Sequence, residues 1–561
     1  MRRSLAATCL MLGLPMVPIA DTVAEEGAPG APAEAVKGWQ ELRFGMFIHW
    51  GPVSLTGHEI GWSRGKETPI EEYDALYKRF NPTNYVAADW VSVAKAAGMK
   101  YVVLTTKHHD GFCLWDTKQG EYNIMRSPFG RDVVKELAAA CREGGIRFGT
   151  YHSVCDWWHA DYPLGSPGGK TQKPNPDLGR YVTYLRAQVT ELVQNYGPLL
   201  LMWFDVPQVV GPEYGIETVR MLRGLQPDIV INNRAYSRGK GPPVGDFDTP
   251  EQRVGAFQID RPWETCMTIC HQWSWKPDDK MKSLQECIHA LVRTAGGDGN
   301  FLFNVGPMPD GRIEARQVER LKEMGDWLKP RGEGIYATRG GPYKPGPWGA
   351  STRKGNRIFL HVLKWPDAGD LVLPALPAKV KTAALVGGGS ADVRSVNGGL
   401  LVAVMPDKRD PFDTVIAMEI EGDAMGLAPI ATTEPTLSEG AKAKASGYFQ
   451  KDWHYAPGRA LDGDEGTRWA TDAGTKSAWI EIDLGTEREF SRVRVREWDG
   501  DPGRIQAFEI KVPEGAGWKA IARGESCARE VRLDPVRAQK VRLEILKARE
   551  GPTISEIEIL K

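Results

Sequence analysis

Three short stretches end apolar runs in side chains suited to acid–base work or to gripping hydroxyl groups. Phe44-Gly-Met-Phe-Ile-His-Trp-Gly-Pro delivers His49 and Trp50 into a Gly-Pro turn, and Lys107-His-His-Asp-Gly-Phe sets His108 beside His109. Leu199-Leu-Leu-Met-Trp-Phe-Asp closes a fully apolar run, Trp203 included, on the carboxylate of Asp205. A carboxylate is costly to bury without donors around it, so Asp205 belongs at the mouth of its strand. Imidazoles near neutral pH carry N–H donors that match hydroxyls. Eight of the 10 His precede residue 330, and four of those follow strand-like runs, which favours one shared site over four unrelated loop residues. The alternative chemistry is a divalent metal on His49, His108, His109 and Asp205. Neighbouring His108 and His109 diverge if the chain stays extended, which argues against it. A helix cap is the plain structural alternative for Asp205.

Cleaving an acetal by acid–base chemistry takes a second carboxyl group. Glu251, in Gly245-Asp-Phe-Asp-Thr-Pro-Glu-Gln, and Glu264, in Trp263-Glu-Thr-Cys-Met-Thr, are the two candidates. A Pro-containing loop carries Glu251 over a bound ring, whereas Glu264 beside Trp263 suits the orienting of other groups. The composition agrees with a sugar ligand: 19 Trp outnumber 16 Tyr and 16 Phe, and an indole offers a wide rigid face to the C–H face of a pyranose. With 71 basic against 72 acidic side chains, a polybasic nucleic-acid binder is excluded as the first reading.

These residues need a scaffold that brings strand ends together. Over 37–338, short apolar or β-branched runs (44–49, 101–106, 147–151, 199–204, 229–232, 300–304) alternate with amphipathic helical stretches (84–97, 132–143, 178–195, 282–294), predicting a parallel (β/α)8-like barrel whose C-terminal rim gathers the polar residues. A Gly-rich phosphate loop, which an open doubly wound sheet would favour, is missing. Short alternating segments over 339–425 predict a β-sandwich, 426–436 a linker, and 437–561 a second all-β domain. Residues 1–24, with Arg2 and Arg3 before an apolar stretch and small residues at Ala20 and Ala24, read as a signal peptide, followed by a linker over 25–36. The expected destination is export, periplasmic or extracellular. Cys9 lies in that leader, the other seven cysteines form no disulfide framework, and Cys266 and Cys270 read as buried thiols.

Taken together, the three strand-end motifs, Asn232-Asn-Arg, Asn300-Phe-Leu-Phe-Asn-Val-Gly-Pro, Asp156-Trp-Trp-His-Ala-Asp-Tyr-Pro and Gly334-Ile-Tyr resemble the α-L-fucosidases of glycoside hydrolase family 29. The resemblance covers about 37–425. It implies a (β/α)8-like barrel followed by a β-sandwich, cleavage of terminal α-L-fucosides with retention, and no cofactor for catalysis. It makes Asp205 the nucleophile and places His49, His108, His109, Tyr151, Trp203 and Arg234 around fucose, with Glu264 as a further binding residue. The Thr-Pro-Glu-Gln context resembles the branch in which Glu251 is the acid/base, a branch preferring α1,3- or α1,4-linked fucose on branched glycans. Two departures bear on the rim. Asp205 is followed by Val-Pro-Gln where many members have Gly, and His152 stands where a second Tyr is common. The rival readings are an inactive glycan-binding lectin and a hydrolase of a related sugar such as an α-L-galactoside.

The final block resembles discoidin-like domains related to carbohydrate-binding module family 32, through Ala460-Leu-Asp-Gly-Asp-Glu-Gly-Thr-Arg-Trp, Trp479-Ile-Glu-Ile-Asp-Leu-Gly and Ile554-Ser-Glu-Ile-Glu-Ile. This resemblance implies a galactose-type sugar as ligand and a structural Ca²⁺ on Asp462 and Asp464, the hard oxygen ligands that ion takes. A plain Asp-Gly-Asp turn is the alternative.

Overall fold

The computed structural model describes residues 27–561 except 240, 367–368, 435, 439, 453–454, 464–466, 499–500 and 527–529. The expected signal peptide with Cys9, and Cys527, lie outside the described residues. The expected linker is shorter than predicted. Ala31 N donates to Asp246 Oδ1 at 2.7 Å, Arg223 Nε reaches the Pro29 carbonyl, and helix α1 (Ala33–Gln40) begins inside the span. Residues 27–36 are thus tied to the barrel.

The barrel strands are β1 (Phe44–Ile48), β2 (Tyr101–Lys107), β3 (Arg147–Ser153), β4 (Leu201–Asp205), β5 (Val230–Ile231), β6 (Glu264–Thr268) and β7 (Asn300–Val305). All pair in parallel, in the order β5-β4-β3-β2-β1-β7-β6. The gap between β5 and β6 is bridged by residues 247–251, which pair in parallel with Asn232 on one side and with Trp263 and Cys266 on the other. That segment takes the eighth place in the ring without forming a regular strand.

Side-chain parity then decides what reaches the mouth. In β1, Phe47 faces the barrel interior while Met46 and Ile48 face the helical layer; in β4, Leu201 and Trp203 face in while Met202 and Phe204 face out. His49 and Asp205 continue the inward sets. His152 follows the opposite parity from Tyr151. It is fully buried and its nearest aromatic neighbour is Trp115 at 6.0 Å. The departure at His152 therefore lies on the helical side, not on the rim.

Outside the strands pack α2 (Ile70–Ala75), α3 (Ala87–Ala96), α4 (Val133–Gly144), α5 (Leu178–Tyr196), α6 (Pro212–Leu225), α7 (Leu284–Gly296) and α8 (Ala315–Arg331). Their starts follow from the sequence. Asp132 and Asp177 accept first-turn amides of α4 and α5, and Ser283 with Glu286 closes a capping box on α7. The next domain is a sandwich of β8 (Arg339–Gly340), β9 (Gly349–Lys354), β10 (Arg357–Val362), β12 (Val380–Leu385) and β15 (Thr414–Ile420) against β11 (Leu371–Leu373), β13 (Asp392–Val396) and β14 (Gly399–Ala403). Ala350, Phe359 and Val415 join the barrel's core, whereas Ile358, Leu360, Ile416 and Met418 fill the sandwich, so one sheet serves two cores. The last domain is antiparallel, with β16 (Lys442–Ala445), β17 (Trp469–Ala470), β18 (Ala478–Glu497), β19 (Ile505–Glu514), β20 (Gly517–Gly524), β21 (Glu530–Ala548) and β22 (Thr553–Leu560) around its own apolar core.

Candidate active site

Asp205 ends β4 inside the mouth, its side chain 13% exposed. Tyr151 Oη donates to Oδ2 at 2.9 Å, and Arg234 Nη1 and Val206 N donate to Oδ1 at 2.8 and 2.9 Å. Burial pushes this carboxyl up. The Arg234 charge, His109 and the hydrogen bonds from Arg234 and Tyr151 outweigh burial and hold it below the ordinary aspartate value. An ionised carboxylate is the result.

Arg234 is fixed from behind. Nε and Nη2 bond Thr249 Oγ1 and the Thr249 carbonyl, both at 2.9 Å, and its guanidinium lies 4.8 Å from the centre of the Trp203 ring. Its Nη1 also donates to Glu251 Oε2 at 3.0 Å. Because one nitrogen touches both carboxylates, their bonded oxygens lie within roughly 6 Å of each other, short of the roughly 6.5–9.5 Å that admits a water between two carboxyl groups. Glu251 is held by the bridging segment, whose next residue, Gln252, bonds the Cys266 carbonyl and Thr268. Asp205 and Glu251 are the pair the strand ends bring together.

Glu264 is not part of that pair, nor of a rim binding set. It is the first residue of β6, at the opposite end of the barrel, where the register sets it beside Asn300, the first of β7. It has no exposed surface, accepts from Tyr101 Oη, and lies against the indoles of Trp203 and Trp39. Burial raises its pKa to about 8, so it is a neutral acid at pH 7. The expectation that Glu264 binds substrate is corrected on these grounds.

The histidines converge. His49 Nδ1 lies 2.6 Å from Asn304 Oδ1, and Asn304 Nδ2 donates to the Trp273 carbonyl. That network makes Nδ1 the protonated nitrogen and leaves Nε2 as an acceptor. His109 Nδ1 lies 2.7 Å from Ser153 Oγ, whose own proton goes to the Cys155 carbonyl, so His109 too presents Nε2 as an acceptor, 3.7 Å from Asp205 Oδ2. Burial lowers His49 to about 3 and His109 to about 4, and it lowers His108 as well. At neutral pH these rings are uncharged, and His49 and His109 present nitrogens able to accept hydrogen bonds where the sequence suggested donors. His108 and His109 do not diverge; their ring centres are 3.9 Å apart because the chain leaves the extended form after Lys107. His108 stacks on Tyr151, and Tyr151 on Trp203.

An aromatic collar missed in the sequence completes the pocket. Trp62 and Trp157 each lie 5.3 Å from His109, and Trp273 lies 4.7 Å from His49. Half-buried Glu59 accepts the amides of Ile60, Trp273 and Ser274 and so ties the loop after β1 to the loop after β6. The abundance of Trp was the available signal; which of them converge was not written in local pattern. The arrangement is an ionised carboxylate and a second carboxyl on one arginine, inside a ring of neutral imidazoles and indoles, which suits displacement at a sugar's anomeric carbon.

A family model described as alpha-L-fucosidase matches residues 24–333. The chain belongs to the α-L-fucosidase family. Human plasma alpha-L-fucosidase is 31% identical over 374 residues, spanning 61% of this chain and 79% of that protein. Alpha-L-fucosidase isoenzyme 1 of Paenibacillus thiaminolyticus is 34% identical with a TM-score of 0.64, over 71% of this chain and all of that one. A Bacteroides thetaiotaomicron GH29 alpha-L-fucosidase, whose structure is of a trapped covalent intermediate with 2-fluoro-fucosyl fluoride, is 28% identical with a TM-score of 0.64, over 71% and 99% of the two chains. The F5/8 type C domain model matches 442–559, the discoidin-like block.

In that block, Asp462 accepts from Thr467 Oγ1 at 2.8 Å and from Arg459, while Asp464 lies outside the described residues. Beside Asp462, Glu556 of β22 is buried with one carboxylate oxygen lacking a hydrogen-bond partner; burial and then the Asp462 charge raise its pKa to about 8. These are oxygen donors of the hard kind that Ca²⁺ takes, and among the described residues no third acidic, His or Cys side chain joins them. At another edge, Phe449, Tyr455, Arg468 and Trp498 line a cavity of about 220 Å³. Arg468 lies 4.0 Å over Trp498 and 5.1 Å over Tyr455.

Proposed function

We propose that the protein is an exported, retaining exo-α-L-fucosidase. The observation that carries the retaining part is the single Arg234 nitrogen shared by Asp205 and Glu251. Asp205 attacks the anomeric carbon of fucose while Glu251 gives its proton to the departing oxygen. Glu251 then takes a proton from water, which opens the fucosyl ester and releases fucose. His49 and His109 accept hydrogen bonds from ring hydroxyls, so a competing pyranose with a hydroxyl misplaced leaves a buried polar atom unpaired, a stronger penalty than the contact of one methyl group provides. The trapped intermediate of the Bacteroides relative agrees with this route. The Thr-Pro-Glu-Gln segment supports a preference for α1,3- or α1,4-linked fucose on branched glycans.

In the C-terminal domain, Asp462 and Glu556 would hold a structural Ca²⁺, which supplies charge compensation and takes no part in the reaction. The cavity floored by Trp498 is assigned to a galactose-type sugar, its indole taking the ring's C–H face and Arg468 its hydroxyls.

Azide rescue tests the catalytic assignment. Asp205→Ala loses turnover by at least about 10⁴-fold, and azide restores a product of inverted configuration; with Glu251→Ala azide gives a retained one. Rescue of Glu264→Ala in place of Glu251→Ala would refute the role of Glu251 as acid/base.

A further inference from the structure

The ladder that carries Glu251 stops one residue later, and the way it stops bears on the carboxyl group. Residues 250–252 and β6 exchange the hydrogen bonds of a parallel pair. Cys266 N donates to the Pro250 carbonyl at 3.2 Å and Gln252 N to the Cys266 carbonyl at 2.9 Å, with Glu251 opposite Cys266. A regular parallel ladder would continue with Thr268 N on the Gln252 carbonyl. Gln252 instead takes φ +53°, in the left-handed region that residues bearing a side chain rarely enter, and the main chain leaves the ladder. The next carbonyl, of Arg253, already lies back at Thr265 Oγ1. The Gln252 side chain fills the place its backbone vacates. Thr268 N donates to Gln252 Oε1 and Gln252 Nε2 donates to Thr268 Oγ1, both at 3.2 Å. A backbone N–H can only donate, so it fixes which end of the amide faces it. The anchor is firm: Thr268 is buried, its carbonyl accepts from Lys282, and its register partner on β7 is Asn304, which holds His49.

We propose that Gln252 is the positioning residue of the proton donor: its amide, paired with Thr268, holds the left-handed turn that aims Glu251 at the departing oxygen. The proposal rests on the reading of Glu251 as acid/base. Glu251 itself is 35% exposed and is gripped at Oε2 by Arg234. That contact sets its distance from Asp205, whereas the direction of its approach is set by the backbone that carries it. Gln252 touches no reacting atom and acts through the main chain it pins. The requirement is specific. One side chain must accept from an amide and donate to a hydroxyl over the same reach; Asn is a methylene short, and Leu has neither function. Displacing a general acid by about 1 Å is enough to cost about 10²-fold in rate.

The test compares kcat/KM for a fucosylated oligosaccharide that the wild type cleaves with kcat/KM for α-L-fucosyl fluoride. The sugar leaving group needs a proton, and fluoride needs far less help. Wild type, Gln252→Gly and Glu251→Ala are measured on both. Glycine accepts the left-handed conformation freely, so Gln252→Gly removes the amide contacts and adds no strain. The oligosaccharide-to-fluoride ratio should fall by about 10–10²-fold in Gln252→Gly, through kcat and not KM, and further in Glu251→Ala. A smaller folded fraction would lower both substrates alike and leave the ratio where it was. Should Gln252→Gly not fold, Gln252→Asn, which tolerates the same φ and stops short of Thr268, decides by the same ratio. A ratio that falls in Glu251→Ala and stays at the wild-type value in the Gln252 variant overturns the positioning role alone. A ratio that stays in Glu251→Ala as well, or a wild type that cleaves no fucoside, refutes the acid/base reading and the proposal with it.

Discussion

The residue after Asp205 shows how a local conformation is used. Val206 adopts φ +48°, in the left-handed region, and in that conformation its N–H meets Asp205 Oδ1. A β-branched residue held there costs about 1–2 kcal/mol. Val206→Gly relieves the strain and gives part of it back as unfolded-state entropy, so a net gain of about 0.5–1 kcal/mol is expected, read as a higher denaturation midpoint with turnover retained; a lower midpoint would count against the strain. Titration belongs to the same scale. Glu264 has a folded pKa of about 8 against an ordinary 4.5, so its contribution to stability is fully present below 4.5 and is lost as pH rises through 8. His49 and His109 run the other way: lowered to about 3 and 4 from 6.5, they destabilise the fold as pH falls from 6.5 towards those values. Glu264→Gln should flatten the decline between pH 5 and 8 and leave the acid limb in place. Chemical denaturation at pH 4, 5, 7 and 8 checks both limbs.

At the scale of elements, the buried Lys107–Asp156 pair joins the end of β2 to the loop after β3. Removing one partner strands the other charge, so Asp156→Ala should cost about 3–5 kcal/mol. Asp156→Asn, which can still accept the Trp158 and His159 amides, should cost less. Urea unfolding of the two variants decides whether the charge or the amide contacts matter more. The strands that carry function were legible because apolar runs with a polar end are written locally, and β1, β2, β3, β4 and β7 lie within two residues of their expected bounds. The bridging segment 247–251 was not, because it forms isolated pairings and contains Pro250. Glu264 was misread for a related reason. It opens its strand where the reactive side chains of such barrels close theirs, and from sequence β6 had no separate start. Parity explains His152, whose side chain faces the helices although its neighbour Tyr151 touches the nucleophile. The collar of Trp62, Trp157 and Trp273 comes from three loops far apart in the chain, and no local pattern announces their meeting.

For the whole molecule, three cores of separate character are strung along one chain, and the middle sandwich shares a sheet with the barrel while the last domain has a core of its own. If Asp462 and Glu556 hold Ca²⁺, saturating the ion at about 100 times its Kd should stabilise the C-terminal domain by about 2.7 kcal/mol. Calorimetry with Ca²⁺ or with a chelator should then move the transition of that domain, and Glu556→Gln should remove most of the response. A shift confined to the barrel transition would place the ion elsewhere. The six described cysteines Cys113, Cys141, Cys155, Cys266, Cys270 and Cys287 are all free and buried, so packing, not covalent bridging, holds these described parts together.

The bridging segment has one more consequence. Asp205 stands on a regular strand locked between two neighbours, whereas Glu251 rides on residues 247–251, joined to the ring by isolated pairings and followed by an irregular stretch up to β6. In the proposed mechanism, mutational drift in that stretch can move the proton donor without disturbing Asp205 or the histidines. For a protein engineer it is a replaceable cassette: segments of other lengths grafted between Thr249 and Trp263, sparing Arg234, would re-aim the acid towards different leaving groups, or withdraw it and turn a hydrolase towards glycoside synthesis from activated donors.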